Sequence, residues 1–190
     1  TNPPGAVDAD GLAEELAEAT RLWGDDFELV LERKVGDEQV RYLHGRYAEA
    51  FPESYKDHHT PYEAVKDLAK LELLEEPGQL EMHLFTKRDD AADVRFKVFR
   101  YGEPMMLSAV LPVLHSLGVL VTDELGPYEV TRADGTIWLY DFGLRLPADA
   151  RDPDEVRGQV ENAFSTAWRG EAEVDDFNAL VLQAGLTWRQ

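Results

Sequence analysis

The sequence predicts an α+β protein: a helical N-terminal segment, then a four-stranded antiparallel sheet with two helices on one face. Three observations carry this expectation. Apolar residues recur at helical spacing up to about Leu74. At Gly78 the texture switches to two-residue alternation, with Leu80, Met82 and Leu84, then Val94, Phe96 and Val98, separated by polar residues. A helical pattern, two more strand patterns and a second helical pattern follow.

Residues 1–7 read as a disordered leader. Leu12 and Leu16 share one helical face, and Trp23 and Phe27 extend the apolar stripe past a break near Gly24. Phe27, Leu29 and Leu31 also alternate as a strand would, but helix is the preferred reading there. A helix starting near Asp37 places Val40, Leu43, Tyr47 and Phe51 along one side and ends before Pro52. The run Thr60-Pro61-Tyr62-Glu63 is a start signal: Thr60 caps free N–H groups, Pro61 suits the first helical position, and Glu63 completes a capping box. That helix carries Ala64, Leu68 and Leu71 on one face and stops before Pro77-Gly78.

Strands over 80–86 and 94–100, joined by the charged loop Lys87–Asp93, form a hairpin. The next helix begins near Pro104, lines up Leu107, Val110, Leu111 and Leu114, kinks at Pro112 and ends at Gly118. Val119–Val130 and Thr136–Leu146 are strands around a turn at Asp134-Gly135. Asp152-Pro153-Asp154-Glu155 opens a helix through Val156, Val160 and Phe164 that ends at Gly170, and a short helix over 177–183 closes the chain. The order from residue 78 is strand, strand, helix, strand, strand, helix. A ferredoxin-like sheet with its last strand moved to the front has this order. A circularly permuted ferredoxin-like domain therefore requires strand 80–86 beside strand 94–100, with both helices on one face and the other half-solvated.

With 190 residues and a net charge of −19, the chain is expected to bind neither nucleic acid nor an anionic membrane, since both need clustered Lys and Arg. No apolar run nears the ~20 residues of a membrane span. Thr1–Asp10 lacks the basic start and apolar middle of a secretory leader. The sequence holds no cysteine, which removes disulfides, thiolate metal sites and thiol nucleophiles and accords with a cytoplasmic setting.

Several segments, in order, resemble the large bacterial NAD-dependent glutamate dehydrogenases. They are GRYAEAFPESYK at 45–56, TPYEAVKD at 60–67, FKVFRYGEP at 96–104 running into Leu107–Pro112, and Leu117-Gly118-Val119. Further on come GPYEV at 126–130, WLYDFGL at 138–144 and FNALVLQAGLTWR at 177–189. The resemblance implies a non-catalytic piece of an N-terminal regulatory region: helices over 8–77, an ACT-like domain over 78–170, and the start of a link to the catalytic part over 171–190. It implies a parent that converts L-glutamate to 2-oxoglutarate with NAD as a homo-oligomer, and partners that are other domains and subunits of that parent.

No catalytic residue, metal site or cofactor is expected in this chain. A dinucleotide site needs a glycine-rich strand-to-helix loop, and no G-x-G-x-x-G occurs. His58-His59 are expected in a surface loop, His83 on the strand face opposite Met82 and Leu84, and His115 at the carbonyl end of its helix. The paired carboxylates Asp25-Asp26, Asp89-Asp90 and Asp175-Asp176 read as helix-start or loop charge, and Ser108 and Ser165 lack a His–Asp constellation. ACT domains commonly bind effectors at the first strand-to-helix turn. In this chain that turn makes Arg100, Tyr101, Gly102, Pro104 and Ser108 the candidate site for an amino-acid effector, with Gly102 giving close backbone approach and the helix start giving free N–H groups. The plain reading of the same residues is a structural turn. An interaction scaffold is the favoured alternative to a sensor, docking through the sheet and through Trp23, Phe27, Phe51, Trp138 and Trp168.

Overall fold

The computed structural model describes residues 23–87, 90–146 and 153–170. The expected leader, the stripe through Leu12 and Leu16, and the helix over 177–183 lie outside them. The chain divides into two compact units, Thr1–Leu68 and Ala69–Gln190.

In the first unit, residues 23–34 are helical (α1), so the 27–31 alternation resolves as helix. Helices α2 (Asp37–Tyr47), α3 (Glu53–Lys56) and α4 (Pro61–Leu71) follow. The helix expected to run to Pro52 ends at Tyr47, and Pro52 with extended backbone starts the short α3 instead. At the start of α4 the capping box is complete. The Thr60 N–H donates to Glu63 Oε2 at 2.8 Å, and the Glu63 N–H donates back to Thr60 Oγ1 at 3.3 Å. An aromatic column fills this unit: Trp23 stacks on Phe27 at 5.4 Å, Phe51 on Tyr55 at 4.7 Å, and Tyr55 on His59 at 4.3 Å. His59 is therefore buried, unlike the surface residue its charged neighbours suggest, because it lies one helical turn beyond Tyr55 and lands on its ring.

The second unit holds the sheet, ordered β1-β2-β4-β3 with every neighbour antiparallel. Its strands are β1 (Leu80–Lys87), β2 (Asp90–Tyr101), β3 (Leu120–Arg132) and β4 (Gly135–Arg145). The hairpin that the alternation requires is present, with Leu84 opposite Phe96 and Met82 opposite Val98. Its loop is shorter than the charge run suggests, since β2 already begins at Asp90. Helices α5 (Leu107–Ser116) and α6 (Pro153–Trp168) cover one face, closing a core that includes Leu84, Phe96, Val110, Leu114, Phe142 and Phe164. Gly118, at φ +76, takes the left-handed position after α5 that the sequence assigns to it.

Two expectations need correction. Helix α5 starts at Leu107, with Met106 as its cap residue, rather than near Pro104. Pro104 suits a first helical position, but the backbone at Met105 is held by Tyr140 before the helix begins. The second sheet face is not half-solvated. Phe99, Ile137, Leu139 and Val130 on it are fully buried, and Arg95, Lys97 and Asp141 are nearly so. Alternation shows which residues share a face; it carries no information on whether that face is covered.

At one end of that face, the Arg132 guanidinium donates to the carbonyls of Leu71 at 2.9 Å and Leu74 at 2.8 Å. Leu71 and Leu74 belong to the segment that leads into β1, so a side chain from β3 anchors that segment to the sheet.

Candidate functional site

The turn between β2 and α5 is built by β4. Gly102 has φ +94, and its N–H donates to the Thr136 carbonyl at 2.9 Å. A Cβ there would approach Pro77 Cβ at 3.3 Å, so both backbone and neighbour favour glycine. The Trp138 indole N–H donates to the Gly102 carbonyl at 2.8 Å. The Tyr140 hydroxyl accepts from the Met105 N–H at 2.7 Å and donates to the Met105 carbonyl at 3.0 Å. Burial raises the Tyr140 pKa, with the charge of Glu124 acting in the same direction and the Met105 bond and Arg100 opposing it. Burial also raises the pKa of Glu124.

The five candidate residues do not converge. Arg100 lies on the helix-covered face, its guanidinium 5.5 Å from the Trp168 ring, with Nε buried and lacking a hydrogen-bond partner. Tyr101 points to the opposite face, where Arg132 lies 5.0 Å from its ring and its hydroxyl donates to the Asp134 carbonyl. Pro104 and Ser108 are exposed, and the α5 start has no side-chain cap. Arg100 and Tyr101 thus leave the turn on opposite faces of the sheet, one toward Trp168 and the other toward Arg132.

Of the five aromatic residues nominated for docking, two are buried, and Trp23, Trp138 and Trp168 keep part of their surface exposed. Phe27 and Phe51 are buried, Trp138 is tied to the 102 carbonyl, and Trp168 stacks on Phe164 at 6.3 Å. Exposed apolar surface comes from Leu29 and Tyr42 in the first unit and from Leu73, Met106 and Leu120 in the second.

Sequence reasoning missed the charge cluster on the second face. Arg95 donates from Nε to Asp141 Oδ1 at 2.8 Å, from Nη1 to Asp123 Oδ1 at 2.6 Å, and from Nη2 to the Asp141 carbonyl at 3.1 Å. Burial alone would lower the Arg95 pKa, but the charge of Asp141 and the bonds to both aspartates outweigh it and raise it. Gly143 faces Arg95 across the strands, and a Cβ there would lie 2.0 Å from Asp123 Oδ2. The glycine makes room for the pair. Lys97 sits opposite Asp141 in register, its ammonium 5.9 Å from the Phe85 ring centroid. The signal was readable in part: Arg95 and Lys97 occupy one face of a strand whose β4 partner face carries Asp141. The cluster is an ion-pair network that ties β2 to β4 through Asp141 and to β3 through Asp123.

A four-stranded antiparallel sheet with both helices on one face, and a glycine turn leading into the first of them, defines an ACT-like α+β module. Residues 79–156 match the family model described as glutamate dehydrogenase, ACT3 domain, and residues 30–74 match glutamate dehydrogenase, helical motif 2. The NAD-specific glutamate dehydrogenase of Halomonas elongata is 35% identical over 189 residues, spanning 98% of this chain and 12% of that protein. That of Mycobacterium tuberculosis is 34% identical over 183 residues, 92% of this chain and 11% of the relative. That of Pseudomonas aeruginosa is 31% identical over 196 residues, 99% and 12%. The chain belongs to the glutamate dehydrogenase family, of which it carries helical motif 2 followed by the ACT3 domain. It spans about one eighth of the length of these relatives.

Proposed function

We propose that this chain is a non-catalytic regulatory and oligomerisation module of a larger NAD-dependent glutamate dehydrogenase, acting mainly as a scaffold between domains or subunits. The parent would convert L-glutamate to 2-oxoglutarate and ammonia in the cytoplasm, with NAD bound outside this segment. In this reading residues 8–77 form a helical linker, 78–170 a permuted ACT-like domain, and 171–190 the start of the link to the catalytic part, after a leader over 1–7. The observation that carries the scaffold is the filled turn: Trp138 and Tyr140 already take the Gly102 and Met105 backbone groups that an effector would need. The exposed Leu73, Met106 and Leu120 offer apolar contact to neighbouring domains.

One observation favours a second reading, an amino-acid effector bound at Arg100, Tyr101, Gly102, Pro104 and Ser108. The Arg100 Nε is buried without a partner, and the uncapped start of α5 leaves N–H groups for a carboxylate. Glu103, exposed beside them, opposes an acidic ligand. Thermal unfolding against amino acids, nucleotides and 2-oxoacids separates the two. The scaffold predicts no saturable rise in Tm at millimolar ligand. A saturable rise that Arg100→Met abolishes, while the unliganded Tm stays within a few degrees, would establish the sensor.

A further inference from the structure

Among the described residues β1 is an edge strand of the sheet, and side chains meet its outer edge at Leu84. Residue Leu84 lies opposite Phe96, and both its backbone groups are met from α6. Its N–H donates to Glu161 Oε1 at 2.9 Å, and its carbonyl accepts from Arg157 Nε at 2.6 Å. In an antiparallel pair the N–H and C=O of one residue point the same way, so both face away from β2, where a further strand would add. Arg157 and Glu161 stand one helical turn apart on α6, the helix that lies over β1, and together they present one donor and one acceptor. The pair reproduces what a single residue of an added strand would offer. The outward groups recur every second residue, at Leu80, Met82, Leu84 and Thr86, so the pair sits within that row. Along β1 the side chains of Leu80, Met82 and Leu84 turn into the core while Glu81 and Lys87 carry charge, so at Leu84 it is the backbone groups that an added strand would use.

We propose that Arg157 and Glu161 form an edge guard that keeps β1 from pairing with an extended segment, above all the β1 of a second copy of this chain. The guard works by occupancy. An incoming strand must displace two charge-assisted hydrogen bonds before it can form its own at Leu84.

The test uses the full chain with Arg157→Met and Glu161→Met together, and Glu161→Gln as the variant that keeps an oxygen acceptor. In dilute protein the double variant is expected to exchange the Leu84 amide at least about tenfold faster. At higher concentration it is expected to gain an assembly step in sedimentation velocity that wild type and Glu161→Gln lack. Thr86→Pro, which removes an outward N–H from the same edge, is expected to reverse that step. A purely structural role for the pair would lower Tm without new assembly. The proposal is overturned if the double variant keeps the wild-type assembly state, or if its added assembly survives Thr86→Pro. Should the double variant fail to fold by circular dichroism, Glu161→Met alone is read against the same two outcomes.

Discussion

Arg95 carries a charge that the sheet has taken out of water, and Asp141 meets it at 2.8 Å with almost no exposure on either side chain. Removing one partner of such a pair strands the other, whereas replacing both with apolar side chains of similar size strands neither. Asp141→Ala is therefore expected to lower the unfolding free energy by about 3–5 kcal/mol, and Arg95→Met with Asp141→Leu by much less, in urea titrations of the four-member cycle. Additive losses would show that the two residues act separately. Asp123 belongs to a different class: its side chain is half exposed, so its bond to Arg95 is screened and contributes less. These side chains mark the limit of reading by alternation. Alternation sets Arg95 and Lys97 on the strand side opposite Val94, Phe96 and Val98, and that is where they lie. Their burial depends on what covers the face, which no local pattern encodes. His59 is a similar case, exposed by its neighbours in sequence and buried by a ring four residues away.

Elements were legible where chemistry is local. The Thr60–Glu63 box uses groups three residues apart, so sequence spacing alone determines whether they meet. Thr60→Ala leaves Glu63 without its hydroxyl partner and the Glu63 N–H without a side-chain acceptor. It is expected to cost about 1 kcal/mol, with Thr60→Ser close to wild type, as read from the urea midpoint at unchanged slope. The same local logic found the hairpin and the Gly118 cap. It missed the start of α5 by three residues, because Tyr140 fixes Met105 from a strand 35 residues away. It also nominated Tyr101 for the effector turn on sequence adjacency to Gly102. Neighbouring strand residues point to opposite faces, and Tyr101 went to the face of Arg132.

At the scale of the molecule the governing quantity is charge. Nineteen Lys and Arg stand against 38 Asp and Glu, a net of −19 at neutral pH. Such an excess repels itself most in the compact state, because folding brings the carboxylates closer together. Salt shortens the reach of that repulsion to about 10 Å at 0.1 M, while a buried pair such as Arg95–Asp141 is screened far less. The exposed attractive pairs also lose strength in salt. Lys56–Glu53 at 2.8 Å, with Glu53 more than half exposed, is partly open to this screening, and pairs of this kind contribute at most about 1 kcal/mol each. Repulsion among the surplus acids outweighs them, so Tm is expected to rise as sodium chloride goes from about 10 mM to about 150 mM, then to level off. Chloride is the salt to use, because sulfate strengthens apolar burial independently of charge. A falling Tm would mean that specific ion pairs, rather than the acidic excess, dominate the electrostatics of the folded chain. The same screening bears on the β1 edge. Two strongly acidic copies repel each other at low salt, so self-association of the unguarded edge should strengthen as salt rises.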